Sequence, residues 1–287
     1  MNLDKSTLRS EKKSSIFSAF SVLCLLLGLF LLSLNFYGLT QSIRKPGLGT
    51  DIDELRFVPE SVWTYEQSMA AIDDLSKIDT VHQLAVSANH VVNQSLVHVD
   101  WERIDQVSYR QLIPAWENYF LYLLGRFSGL PQFERYHYSD YKRNIRRGIG
   151  ICGDAATTLS SVLDYYSISN KIISFEGHVL VEYIDSDGKP YLMDPDFGVL
   201  LEMDTIELVA NPESVRNIYS EAGYSTNEID FLLGAYKRNY AIFNDTFHFM
   251  SKRYLFERLS YIAKWIFPTF LILFFLVYLF RFSQYRH

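Results

Sequence analysis

Cysteine is nearly absent from this chain, with two in 287 residues. Cys24 sits inside an apolar stretch, which leaves Cys152 alone in the rest of the sequence and excludes a disulfide framework there. A lone thiol in an oxidising compartment is a liability unless it is buried or used. Positive charge is also scarce. Residues 46–258 hold 18 lysines and arginines against 31 aspartates and glutamates, which excludes binding of nucleic acid or anionic headgroups through bulk charge. Repeats and low-complexity tracts are missing. So is a histidine metal motif: His82, His90 and His98 recur every eight residues. On a helix each such step rotates about 80° and rises about 12 Å, so the three share no face and no ion.

What is present in excess is apolar sequence at both ends. Residues 16–39, IFSAFSVLCLLLGLFLLSLNFYGL, form an unbroken run of spanning length. Its apolar core is too long for a signal peptide and no small-residue cleavage site closes it, so an uncleaved anchor is expected. A second run, WIFPTFLILFFLVYLF at 265–280, extends back to Leu259 if Lys264 snorkels. Four aromatics among its last seven residues fit lipid contact. Lys5, Arg9, Lys12 and Lys13 precede the first span and only Arg44 and Lys45 closely follow it, so the N-terminus is expected in the cytoplasm. The expected organisation is a cytoplasmic tail (1–15), a membrane helix (16–39), a linker (40–60), an extracytoplasmic domain (61–258), a second membrane helix (259–281) and a cytoplasmic tail (282–287).

Within the middle region the period changes. Residues 61 to about 98 read as helical, with Thr80 capping VHQLAVSANHVVNQSLVHV. A second helix covers 112–127 and stops at the Ser128–Pro131 turn. The string CGDAATTLSSVLDYY (152–166) is a third. KIISFE, HVLVEYI and PYLMD then alternate as strands, with DSDGK as a hairpin turn, and 201–250 returns to mixed helix. Helices followed by one helix on an antiparallel sheet make an α+β layout.

Cys152 opens its helix in GIGICGDAATTL. A helix N-terminus favours a thiolate, and its free N–H groups can hold an oxyanion. Such a nucleophile needs a base and a group to orient the base. His178 opens one strand and Asp194 closes the next, so an antiparallel pairing brings them together. Asp196 is a rival orienter, but Pro195 interrupts the strand and favours Asp194. Asp154 reads as a first-turn residue complementing the helix dipole. KRNIRR (142–147) reads as a solvated basic turn rather than an anion site, and the aromatics between Tyr119 and Tyr141 read as core rather than a stacking groove.

The stretch GIGICGDAATTLSSVLDYYSISNKIISFEGHVLVEYIDSDGKPYLMDPDFG resembles the core of the transglutaminase-like superfamily, relatives of papain-type cysteine proteases. The matching positions are Gly150 and Cys152, Gly177 and His178, and Asp194 with Pro195. With YSDYKRNIRRG before it and DPDFGV within it, the string looks like a bacterial membrane-anchored subgroup associated with envelope polysaccharide (exopolysaccharide) biogenesis. The resemblance implies a Cys-bearing helix on an antiparallel sheet, with Cys152 as nucleophile, His178 as general base and acid, and Asp194 as orienting carboxylate. Trp116, Arg146 and Gly150 are its candidates for oxyanion or substrate contact. Where papain-like enzymes carry a glutamine, Arg146 stands instead, so a side-chain oxyanion donor is unassigned. Nothing resembles the calcium loops of animal transglutaminases, and neither a metal nor a cofactor is expected. The expected activity is hydrolysis of a peptide or amide, or acyl transfer, on a peptide or envelope component at the periplasmic face of the inner membrane. The competing reading is a non-catalytic scaffold within a membrane polysaccharide or secretion assembly.

Overall fold

The structure, a computed structural model, describes residues 5–50 and 54–284. Residues 1–4 and 285–287, parts of the two expected tails, and 51–53 of the expected linker lie outside the described residues. In chain order the elements are α1 (Lys5–Leu39), β1 (Leu55–Phe57), α2 (Tyr65–Asp74), α3 (Val81–Ser95), β2 (Val97–Val99), α4 (Ala115–Phe127), α5 (Pro131–Glu134) and α6 (Tyr141–Arg147). They continue with β3 (Ile149–Gly150), α7 (Cys152–Tyr165), β4 (Asn170–Phe175), β5 (His178–Ile184), β6 (Pro190–Asp194) and β7 (Val199–Leu201). The last are α8 (Thr205–Ala210), α9 (Arg216–Glu221), α10 (Thr226–Tyr236), β8 (Tyr240–Phe243) and α11 (Thr246–Gln284). The chain is α+β and divides into two compact units.

The larger unit, residues 43–112 and 135–257, is built on a five-stranded antiparallel sheet of order β7-β6-β5-β4-β8. Each central strand is apolar on both faces, because both faces are covered. Ile172, Val181 and Met193 face one core, packed against Ala156, Leu159 and Leu163 of α7 and Val91 and Val92 of α3. Ile173, Leu180 and Leu192 face the other, against Leu208, Tyr219, Leu232 and Leu233 from α8, α9 and α10. Burying each such aliphatic side chain contributes about 1.5–3 kcal/mol relative to leaving it in water. A smaller sheet, β1-β2-β3, pairs β1 with β2 antiparallel and β2 with β3 in parallel.

Three differences from the sequence reading have local causes. Thr80 caps α3 as expected, its side chain accepting from the Gln83 N–H, but the helix does not reach His98. Leu96 turns to extended backbone (φ −122°, ψ 123°), and β-branched Val97 and Val99 place His98 on a strand. The segment expected as a linker carries β1. The end of the domain, expected as mixed helix, contributes β8, which pairs with β4 from Ile172↔Phe243 to Phe175↔Tyr240.

The smaller unit comprises residues 1–42, 113–134 and 258–287. Two helices, over Ser18–Leu39 and Thr246–Arg281, are long and apolar enough to cross a membrane. The first belongs to a helix that already begins at Lys5, and the second to one interrupted by non-helical Met250 and carrying Pro268. Large apolar side chains face outward along both, Phe30 and Phe280 among them. Polar groups are turned inward instead: Asn118 donates to the Ser260 hydroxyl, Tyr119 to the Lys264 carbonyl, and Tyr261 to the Glu117 carboxylate.

Candidate active site

The site is assembled at the ends of elements. The chain enters it through α6, which ends at Gly148 in the left-handed conformation (φ 77°), a geometry glycine adopts without a Cβ penalty. Gly148 passes its carbonyl to the Val97 N–H, and β3 then pairs in parallel with β2, Val97↔Ile149 and His98↔Gly150. Two residues later Cys152 begins α7, partly exposed, with Ile151 extended as its cap. Gly150 is small for a packing reason: a Cβ there would lie 2.7 Å from the Asp154 Cβ. Asp154 accepts from the Ile151 N–H and is paired with His137 Nδ1 at 2.7 Å. Burial opposes its ionisation, but His137, assisted by Arg147 and that N–H, outweighs burial and holds the carboxyl below the usual range.

The base arrives from the large sheet. Gly177 (φ 118°) makes the turn between β4 and β5, whose pairing closes at Phe175↔His178. His178 and Leu180 share one face of β5, and Leu192 and Asp194 the matching face of β6. His178 and Asp194 are both buried, and the Nε2–H of His178 donates to Asp194 Oδ2 at 2.7 Å. A nitrogen of the ring also lies within 4.8 Å of the Cys152 sulfur. With Nε2 committed to the carboxylate, Nδ1 is the nitrogen that serves the sulfur. Burial disfavours a charged imidazole, yet the Asp194 charge and hydrogen bond, with Cys152 beside the ring, override it and push His178 well above the ordinary histidine range.

Asp194 is itself fully engaged. Its Oδ1 accepts from the Asp196 and Phe197 N–H groups, and its Oδ2 also accepts from the Tyr219 hydroxyl at 2.9 Å. Tyr219 hydrogen bonds to Tyr236, and burial followed by the Asp194 charge keeps the Tyr219 phenol protonated, as a donor. The rival orienter, Asp196, holds a different histidine, with its Oδ1 at 2.6 Å from His98 Nδ1.

A cavity of about 270 Å³ opens over the sulfur, lined by Arg56, His98, Val99, Asp100, Trp101, Ile151, Cys152, Gly177 and His178. The tryptophan at the site is therefore Trp101. It stacks on His137 with ring centres 4.5 Å apart and lies under the Arg135 guanidinium. Trp116 belongs to the other unit, where its carbonyl would be 2.1 Å from a Cβ at Gly38. Arg146 is half-buried in the last turn of α6 and is not among the lining residues. Its neighbour Arg147 is no solvated base: it is buried, donates to the Tyr136 carbonyl and lies over the Tyr138 ring. Tyr119, Tyr136 and Tyr138 are buried too.

The structure thus brings together Cys152, His178 and Asp194, adds His98 and Trp101, to which sequence reasoning gives no place at the site, and pairs Asp196, the rival orienter, with His98. The overlooked signal was V-H-V after Leu96, a β-type alternation that places His98 outside the helix. The sulfur, a His178 nitrogen and an Asp196 oxygen lie within 4.8 Å of one another. These donor types suit a divalent ion, but Nε2 of His178 is taken by Asp194. No protein-family model, no curated protein and no solved structure matches this chain significantly.

Proposed function

We propose that this chain is a membrane-anchored cysteine enzyme with a transglutaminase-like core, acting on a carbonyl substrate by way of an acyl-enzyme. The observation that carries the reading is the placing of the Cys152 sulfur within 4.8 Å of a His178 nitrogen, with His178 hydrogen bonded to Asp194, at the first turn of α7 beneath an open cavity. In that arrangement the thiolate of Cys152 attacks the carbonyl carbon while the free N–H groups of the first turn of α7 face the developing oxyanion. His178 then gives its proton to the leaving group, and the acyl–sulfur bond is opened by water or an amine. Hydrolysis of a peptide or amide is the favoured outcome, since water needs no dedicated site. The two apolar helices support a membrane location, and the basic residues ahead of the first span support an extracytoplasmic domain, periplasmic in a bacterium. The resemblance supports an envelope component as substrate and membrane polysaccharide machinery as partner.

The test is alkylation of the full chain by iodoacetamide in a Cys24→Ser background. Cys152 is expected to label faster than a free thiol at neutral pH, and His178→Ala to slow it by about tenfold or more. Labelling at the free-thiol rate, unchanged by His178→Ala, overturns the enzyme reading and leaves the scaffold.

A further inference from the structure

The triad leaves part of the site unexplained. Across the cavity from His178 stands a second histidine held by a second aspartate, and neither has a role in the line from Cys152 to Asp194. His98 is buried on β2, its register partner Gly150 lying two residues before the nucleophile. Its Nδ1 is bonded to Asp196 Oδ1 at 2.6 Å. A carboxylate can only accept, so Nδ1 carries the hydrogen and Nε2 keeps its lone pair. His98 lines the cavity, and Nε2 is its ring nitrogen not bonded to Asp196. Asp196 adds an independent observation. Its Oδ2 is buried without a hydrogen-bond partner, while the carboxylate comes within 4.8 Å of both the Cys152 sulfur and a His178 nitrogen. A buried carboxylate oxygen left unpaired is costly. Beside a nucleophile it invites an O–H or N–H donor.

We infer that His98, fixed by Asp196, is the base that activates the acyl acceptor in the second half of the reaction, a role distinct from that of His178. The inference rests on the acyl-enzyme reading above. In the step, the acceptor oxygen or nitrogen bonds to the acyl carbon as its proton passes to His98 Nε2. The tetrahedral adduct collapses, the C–S bond breaks, and the electron pair returns to the Cys152 sulfur beside His178. His98 then returns its proton to solvent, and His178, which gave its own to the leaving group, regains one from solvent. The groups facing His98 are Asp196, bonded to it, with Asp100, Arg56, Cys152 and His178 on the cavity wall.

The experiment uses p-nitrophenyl acetate as acyl donor on the full chain in detergent micelles, Cys24→Ser background. Release of p-nitrophenolate is followed through burst and steady state, and acetylated Cys152 by intact mass. In His98→Gln the burst rate is expected to hold within about twofold while steady-state turnover falls by roughly 10²-fold. Acetylated Cys152 then accumulates, and added hydroxylamine, which needs no base, discharges it as fast as in the parent. Should His98→Gln not fold, Asp196→Asn, which keeps the shape, is expected to show the same accumulation. Burst and turnover that fall together, or neither falling, overturn the inference while leaving Cys152 as the nucleophile. A parent protein that never acetylates Cys152 overturns both readings, so the two failures are distinguishable.

Discussion

The two units turn opposite faces to their surroundings. In the larger one Leu159, Ile172 and Val181 are fully buried, while Ile206 is exposed. In the smaller one Phe30, Phe270 and Phe280 are more than 60% exposed, whereas Asn35, Glu117, Asn118 and Lys264 are at most 7% exposed. A unit dissolved in water cannot sustain that inversion, because its largest apolar surfaces would stay wet. A unit dissolved in lipid requires it, since each inward polar group must find its partner within the protein. Buried polar groups consequently do different work in the two places. In the smaller unit they join helices. In the larger unit they join His178 to Asp194 and His98 to Asp196.

The sharpest test of that contrast is Asp194→Asn, which keeps the shape and removes the charge. Against the acyl-transfer reading, turnover is expected to fall by roughly 10³–10⁴-fold, the scale at which a triad loses its orienting carboxylate. The pH profile must move as well. His178 sits above the ordinary histidine range mainly because of Asp194, acting against burial. As general acid it works only while protonated, so the alkaline limb of the parent lies above the ordinary range and moves to lower pH in the variant. The linkage runs the same way. A raised histidine pKa adds stability that is fully present below the unfolded value and is lost as pH rises through the folded one. Asp154 is the opposite case, its stability present above the unfolded carboxyl value and lost as pH falls through the depressed one. Glu117→Gln in the smaller unit is expected to leave turnover and its pH profile unchanged. An altered limb there would break the contrast.

Next in size is the solvent itself. Phe30 and Ile206 are similarly exposed, at 64% and 74%, so lysine at either would cost nearly nothing if both faced water. Phe30→Lys is expected to cost about 3 kcal/mol of insertion free energy, read as chain lost from the carbonate-resistant membrane fraction. Ile206→Lys is expected to stay within about 0.5 kcal/mol in thermal unfolding. Equal effects would mean one solvent for both units.

How much of this was legible in sequence depended on how local each signal was. The two apolar runs and the helix opened by Cys152 carry their periods within one segment, and so do the strands that end in His178 and Asp194. The elements around them could be drawn from periodicity alone. β2 and β3 are different. They have three and two residues, and they pair across everything between Val99 and Ile149. Strands that short offer no more than the V-H-V triplet to read, so the helical period carries on through His98 and Trp101 gains no role from the sequence. Trp116 was preferred although it is packed with Gly38. Arg147 was misread for a related reason. A run of basic residues looks solvated, and only the folded chain brings the Tyr136 carbonyl and Tyr138 ring that bury it.

The smallest expected effects come from two tyrosine hydroxyls that make the same kind of bond in the two units. Tyr219 donates to Asp194 and Tyr261 to Glu117, at 2.9 and 2.7 Å. Tyr219→Phe takes a donor from a fully buried carboxylate and strands the Tyr236 hydroxyl, which should cost about 1–3 kcal/mol. It should also lower turnover, because Asp194 is then held by His178 and two backbone N–H groups alone. Tyr261→Phe removes a single hydrogen bond between α11 and α4, whose net contribution is about 0.5–1.5 kcal/mol. Thermal unfolding in detergent, with turnover measured alongside, reads both. If Tyr261→Phe costs as much as Tyr219→Phe, or lowers turnover with it, the polar groups of the smaller unit do more than join helices.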